Sequence, residues 1–301
     1  MYEKERKAVS GSLLFGQFMG GFTTAMFLFL IASGLSLVFG VMRVINFAHG
    51  SFYMLGAYLA WQGVTWLQPL LGSFWLATLF AASTVALLGA VVERLFFRSL
   101  YGRDELYQLL FTYALVLILG DAAKFIWGVG QLSVSIPSGF DGSLHIFGTT
   151  QPVYNLLVMA MGPAIAFLGW LVLNRTSVGR MVRAAQMDRE MLDALGTNVG
   201  TIYTGMFVLS AFLAGLSGAL VTPIQSIVPG MDVLIIVQAF IVVVIGGMGS
   251  IWGTFWGSVI YGQVLSFGIL IFPSFDLFSV FALMAVILII RPWGLFGRPL
   301  A

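Results

Sequence analysis

Apolar residues run through this chain in long blocks, and the charges fall between the blocks rather than within them. No Asp, Glu, Lys or Arg occurs from Ala8 to Met42, Val44 to Val92, Gly142 to Asn174, Ala194 to Met231 or Val233 to Phe275. Each run has room for one or two helices of about 20 residues, the length that crosses a hydrocarbon core of about 30 Å. Gly, Pro and polar clusters divide the runs into nine candidate spans, near 17–41, 44–66, 70–92, 106–127, 153–173, 202–222, 233–248, 252–272 and 277–291. Strands of a membrane barrel would alternate apolar and polar residues, and these continuous runs do not. The pattern predicts an all-α polytopic membrane protein of about 8–9 transmembrane helices, with residues 43–50 open to a break or re-entrant turn.

Composition agrees. Of 301 residues 59% are hydrophobic and 9% charged, against averages of about 45–50% and about 25%. A water-soluble surface cannot be built from so few polar groups, which excludes a soluble enzyme, a nucleic-acid binder and a disordered chain. With no cysteine there is no disulfide and no thiolate chemistry. Lys4, Arg6 and Lys7 precede an apolar run that continues to Met42, too long for a cleaved signal, so the segment reads as retained. No linker or internal repeat divides the chain, and residues 1–301 read as one integral-membrane domain.

Charge position sets the expected orientation. Arg94, Arg98 and Arg103 form one basic cluster, Arg175, Arg180, Arg183 and Arg189 a second, and Arg291 with Arg298 a third. Segments 129–152, 222–232 and 273–276 carry no Lys or Arg. The positive-inside rule puts the clusters in the cytoplasm and the other segments outside. Upstream of Arg94 two arrangements remain. Either three full crossings leave residue 1 outside, or the start lies inside and one early segment is incomplete.

Three stretches carry candidate chemistry. Helix formers without Pro run from Arg180 to Leu195, and Gly196 follows as a C-terminal cap, which predicts a short amphipathic helix on the cytoplasmic face. Its mixed charge fits a protein partner better than a lipid surface, where Lys and Arg would dominate. Arg43, Asn46 and His49 are spaced i, i+3, i+6, so a helix there would gather them near one face, with Gly50 beside them. Polar groups at membrane depth face a cavity, a partner helix or a transport path, or form a packing network that caps two helices. Gly246-Gly-Met-Gly-Ser250 lacks the Lys of a phosphate loop and reads as a tight turn between helices. Asp121 and Lys124 are spaced to pair on one helix face. Gly215-Leu-Ser-Gly218 matches the Gly-x-Ser-Gly pattern of rhomboid proteases, but a serine nucleophile needs a base and no His follows Ser217.

The stretch Phe39-Gly-Val-Met-Arg-Val-Ile-Asn-Phe-Ala-His-Gly-Ser-Phe-Tyr-Met-Leu-Gly-Ala-Tyr58 closely resembles the signature of branched-chain amino acid ABC transporter permeases, the first of their two types. The loop Gly179–Gly196 resembles that family's coupling loop, and Gly246–Ser250 and Arg291–Arg298 fit as well. Two departures stand out: Ser51 occupies a place where the family often carries an acidic residue, and Asn198-Val199 varies the end of the loop. The resemblance implies a permease subunit importing Leu, Ile and Val across a bacterial inner membrane. It implies a second homologous permease, two cytoplasmic ATPases and an extracytoplasmic solute-binding protein as partners, with no nucleic acid. ATP and Mg would bind the ATPases, with no metal, cofactor or catalytic residue on this chain. Arg183, Asp188, Glu190 and Gly196 are the expected coupling residues, and Arg43, Asn46, His49 and Gly50 the expected neighbourhood of the path. A urea or short-amide importer is the nearest alternative, and an ion-coupled transporter or channel the alternative of another class.

Overall fold

A computed structural model describes residues 11–42, 44–71, 73–271 and 276–297. Arg43, Lys4, Arg6, Lys7 and Arg298 lie outside the described residues. The elements are α1 (Gly11–Met42), α2 (Ala48–Leu71), α3 (Phe74–Val92), a π-helical turn (Glu93–Phe97) and α4 (Arg98–Leu100). Then follow α5 (Glu105–Trp127), β1 (Ser143–Ile146), β2 (Thr149–Pro152), α6 (Val153–Arg175), α7 (Ser177–Met187) and α8 (Arg189–Ala194). The chain continues through α9 (Val199–Val221), α10 (Met231–Gly246), α11 (Ile251–Ile271) and α12 (Asp276–Ile290).

The nine candidate spans correspond to α1, α2, α3, α5, α6, α9, α10, α11 and α12. Six apolar helical stretches reach crossing length, and Met231–Gly246 and Phe278–Ile290 are shorter apolar helices. The remaining span, α2, is long but carries His49, Ser51, Gln62 and Thr65. It is also enclosed by protein: nearly every residue from Ala48 to Ala60 is buried. A span shielded from lipid can hold polar groups that a lipid-facing one cannot. α2 packs on α9, α3, α10 and α5, while α1 runs along α11 and α9. Segment 129–152, which carries no Lys or Arg, contains a β-hairpin in which Ser143 pairs with Pro152 and Ile146 with Thr149.

The two ends of α1 fix its direction. Gly16 lies against Thr149 of the hairpin, whereas Gly40 meets Gly249 and Gln186 of α7. So α1 runs from the hairpin side to the Arg-rich side, and α2 and α3 complete three crossings before Arg94. From Gly11 onward the direction of α1 is that of the first arrangement.

The break near 43–50 is present. Residues 44–46 are not helical, and α2 begins at Ala48. His49 reaches the carbonyl of Ile31, and Ile31 lies about 16 Å back along α1 from Met42 at 1.5 Å per residue. The extended segment therefore carries the chain back inward, and α2 starts well inside the bundle. The expectation that Arg43, Asn46 and His49 share a helical face fails here, because Asn46 sits on extended chain and only His49 on the helix.

Glycine permits the closest approach at the centre. A Cβ on Gly56 of α2 would lie 2.3 Å from the Gly215 carbonyl oxygen of α9, closer than any contact between such atoms. Gly253 and Gly257 of α11 similarly face the backbone of α10, as small-residue spacing in membrane helices predicts. Replacing Gly56 with Ala must push α2 from α9, and overpacking of this kind costs about 1–3 kcal/mol. The expected result is a lower midpoint for thermal unfolding in detergent. An unchanged midpoint would mean that the two backbones do not approach this closely.

Candidate functional site

Two regions gather the functional side chains: the α7–α8 loop at the Arg-rich face, and the polar centre around the start of α2.

The loop contains two helices where one was expected. Asp188 has φ −151° and ψ 101°, which ends α7, and its carboxylate accepts from the Met191 N–H at 2.9 Å to cap α8. A short acidic side chain competes well for the free amides of a helix start. Gly196 follows α8 with φ +83°, the left-handed conformation expected of a glycine after a helix. Arg183 is turned inward: its guanidinium donates to the Leu173 carbonyl near the end of α6. Glu190 is exposed, and so are Met187 (87%), Met191 (59%) and Leu195 (75%). These three apolar side chains are exposed beside Asp188, Arg189, Glu190 and Asp193. A cleft of about 410 Å³ opens behind it, lined by Met42, Tyr101, Arg103, Gln186, Arg189 and Tyr203.

Below the loop lies a carboxylate that sequence reasoning missed. Glu93 is fully buried at the start of the π-helical turn. Tyr101 donates to its Oε1 at 2.7 Å, and Thr204 of α9 donates to Oε2 at 2.6 Å. Hydrogen bonds to a carboxylate are about twice as strong as neutral ones. Burial first, then the bond to Glu93, push the Tyr101 phenol above its ordinary value and keep it a donor. Tyr101 also packs edge-to-face on Tyr203. Glu93 therefore ties the Arg-rich end of α3 to the first turns of α9. π-Helical turns are rare and concentrate at functional positions, but neither the turn nor Thr204 leaves a spacing signal in the sequence.

In the centre, His49 is buried between α1 and α9. Its Nε2 lies 2.9 Å from the Ile31 carbonyl, and its Nδ1 lies 3.3 Å from Ser210 Oγ. A carbonyl only accepts, so Nε2 carries the proton and Ser210 donates to Nδ1. Asn46 is buried, and its Oδ1 has no partner among the described residues. Gly50 lies against the backbone of Asp232, and Ser51 donates to Asp232 Oδ2 at 2.8 Å. An acidic group thus does meet this position, supplied from α10 rather than by residue 51. The signal for Asp232 was in the sequence: it alone separates two long charge-free runs. The predicted path residues Asn46, His49 and Gly50 come together here, and the loop residues stand apart at the Arg-rich face.

Other motifs resolve as packing. Ser217 donates to the Phe27 carbonyl at 3.2 Å, and Gly218 lies against the Tyr53 carbonyl. His49 is engaged elsewhere, with Ile31 and Ser210. Gly247 and Gly249 have φ of +99° and +82° in the turn between α10 and α11. The C-terminal strip closes that turn, with Leu295 and Phe296 N–H donating to the Ile245 and Gly246 carbonyls. Asp121 and Lys124 form an exposed ion pair at 2.9 Å.

Comparison with known proteins agrees with this arrangement. Residues 17–290 match the family model described as branched-chain amino acid transport system / permease component. The high-affinity branched-chain amino acid transport system permease protein BraD of Pseudomonas aeruginosa is 31% identical, over 94% of this chain and 95% of its own. The corresponding LivH protein of Escherichia coli K12 is 29% identical over the same shares. A probable LivH permease of Methanocaldococcus jannaschii is 27% identical over 78% of this chain and 75% of its own. A match of that reach, with the α7–α8 loop and the α2 signature both inside it, makes this chain a member of the permease family of branched-chain amino acid transport systems.

Proposed function

We propose that this chain is the permease subunit of an ABC importer that carries Leu, Ile and Val into the cytoplasm of a bacterium. The observation that carries the reading is the α7–α8 loop, which offers Met187, Met191 and Leu195 to a partner while Arg183 and Asp188 hold the loop's own shape. Exposed apolar side chains rimmed by charge mark a protein-binding surface. The partner that fits is a cytoplasmic ATPase, with Glu190 and Arg189 at the rim of the contact. ATP with Mg belongs on two such ATPases. A second permease of similar sequence completes the path, and an extracytoplasmic binding protein delivers solute to the hairpin side. The membrane is the bacterial inner membrane, with the Arg-rich face in the cytoplasm.

Coupling then follows from rigid joints. Arg183 clamps α7 to the end of α6, and Asp188 and Gly196 fix the angle and end of α8. α9 begins at Val199, and Thr204 attaches it through Glu93 to α3. A push on the loop therefore moves α6, α9 and α3 together, and α9 carries the centre with it. Rigid-body movement of packed helices is an established way to switch access between two sides.

The first test is transport. In vesicles containing the complete complex and its binding protein, leucine, isoleucine and valine should enter on addition of ATP and urea should not. Uptake of urea without leucine would overturn the amino-acid reading. A second test is coupling. Gly196→Pro cannot keep φ at +83°, since proline is fixed near about −65°. Arg183→Glu removes the clamp on Leu173. Both variants should insert normally and lose uptake together with binding-protein-stimulated ATP hydrolysis, and normal uptake in both would refute the assignment. A third concerns Glu93. Glu93→Ala leaves the Tyr101 hydroxyl buried without its acceptor, a loss of about 1–3 kcal/mol. A drop of several degrees in the unfolding midpoint is expected, whereas Glu93→Gln, which keeps acceptor and shape, should recover most of it.

A further inference from the structure

Asp232 is the one charged residue between Asp193 and Asp276. It stands in the first turn of α10 and is 4% exposed. Buried carboxylates are normally met by a cation or several donors, because removing the charge from water is costly. Glu93 follows the rule with two hydroxyl donors. Asp232 has one recorded donor, the Ser51 hydroxyl, and among the described residues the recorded ion pair is Lys124 with Asp121, at an exposed site. The α10 N-terminus contributes a partial positive charge but no full counter-charge.

What surrounds Asp232 suits a cation. Ser51 and Tyr58 are seven apart and share one face of α2. Tyr58 is fully buried, and its hydroxyl has no partner among the described residues. Trp127 stacks on the Tyr58 ring at 5.0 Å between centroids. A carboxylate, a free hydroxyl and stacked aromatic faces are the groups that together bind an alkylammonium ion.

We propose that Asp232, with Ser51 and the Tyr58–Trp127 pair, takes the ammonium group of the transported amino acid inside the membrane. The assignment rests on the amino-acid importer reading above. It gives α2 and α10 a binding role: their first turns meet where Gly50 lies against Asp232. It also sets a preference, since an uncharged amide of similar size brings no counter-charge to this carboxylate.

The test uses the complete complex in vesicles with its binding protein, measuring leucine uptake and stimulated ATP hydrolysis. Asp232→Asn keeps the side-chain shape and an acceptor for Ser51, so a purely structural role survives it. The expected result is a fall in leucine uptake of about tenfold or more, the scale of one lost charge-assisted contact, with stimulated ATP hydrolysis kept. Tyr58→Phe should lower uptake less and also spare hydrolysis. Leucine uptake in Asp232→Asn equal to that of the parent complex would sink this assignment alone. Loss of assembly and of hydrolysis in Asp232→Asn would assign Asp232 to the fold and overturn it as well. A parent complex that imports urea but not leucine would overturn the importer reading and this assignment with it.

Discussion

The constraint on which everything else depends is the absence of water from the hydrocarbon core. Each backbone N–H and C=O there needs a partner within the protein, which leaves helices as the spanning element for this composition. The same constraint sorts the side chains. α5 and α6 expose most of their apolar surface, and α2, with His49, Ser51 and Gln62, is wrapped by other helices. The span that carries the most polar side chains is thus one that protein, not lipid, encloses, as the cost of polar groups in hydrocarbon requires.

Non-helical backbone at depth is tolerated where protein covers it. The extended residues 44–46 are such a place. Their successors are anchored promptly, with the His49 and Gly50 amides donating to the Asn46 and Phe47 carbonyls. The ring of His49 then joins α1 to α9 through Ile31 and Ser210. The break thus delivers the head of α2 to the middle of the bundle, where it can meet the head of α10. An unbroken helical hairpin would have left both Ser51 and Asp232 nearer opposite ends.

Much of this was legible in the residues, and the failures have physical causes. All nine spans could be placed, because long apolar runs between charges allow few alternatives. The loop helices and the Gly196 cap were legible too, but the division at Asp188 was not. Asp inside a helical stretch can point to solvent or seize the next amides, and only the fold decides which. Arg183, expected at the docking contact, donates to the Leu173 carbonyl of its neighbour α6, a bond that no spacing in the sequence announces. The shared face of Arg43, Asn46 and His49 assumed helical backbone that Asn46 does not have. Glu93 was hidden for a different reason: it adjoins Arg94 in sequence and reads as part of a surface cluster, although the π-helical turn faces it inward.

The charges that remain after this sorting divide the molecule by task. Arginines at one face set orientation, and the loop acids shape a contact surface. Glu93 and Asp232 are different, because each is a buried carboxylate held by hydroxyl groups from another helix. Glu93 accepts from two hydroxyls and lies between α3 and α9, so its bonds favour a fixed joint. Asp232 accepts from the Ser51 hydroxyl and lies between the heads of α2 and α10, where the proposed ammonium partner would meet it. On the importer reading, movement imposed at the loop enters α9 at Val199 and passes through Glu93 to α3, and α9 is the helix against which Gly56 and His49 of α2 are packed. On the importer reading, a joint at Glu93 set beside a site that the solute completes would let energy applied at one face alter access in the centre.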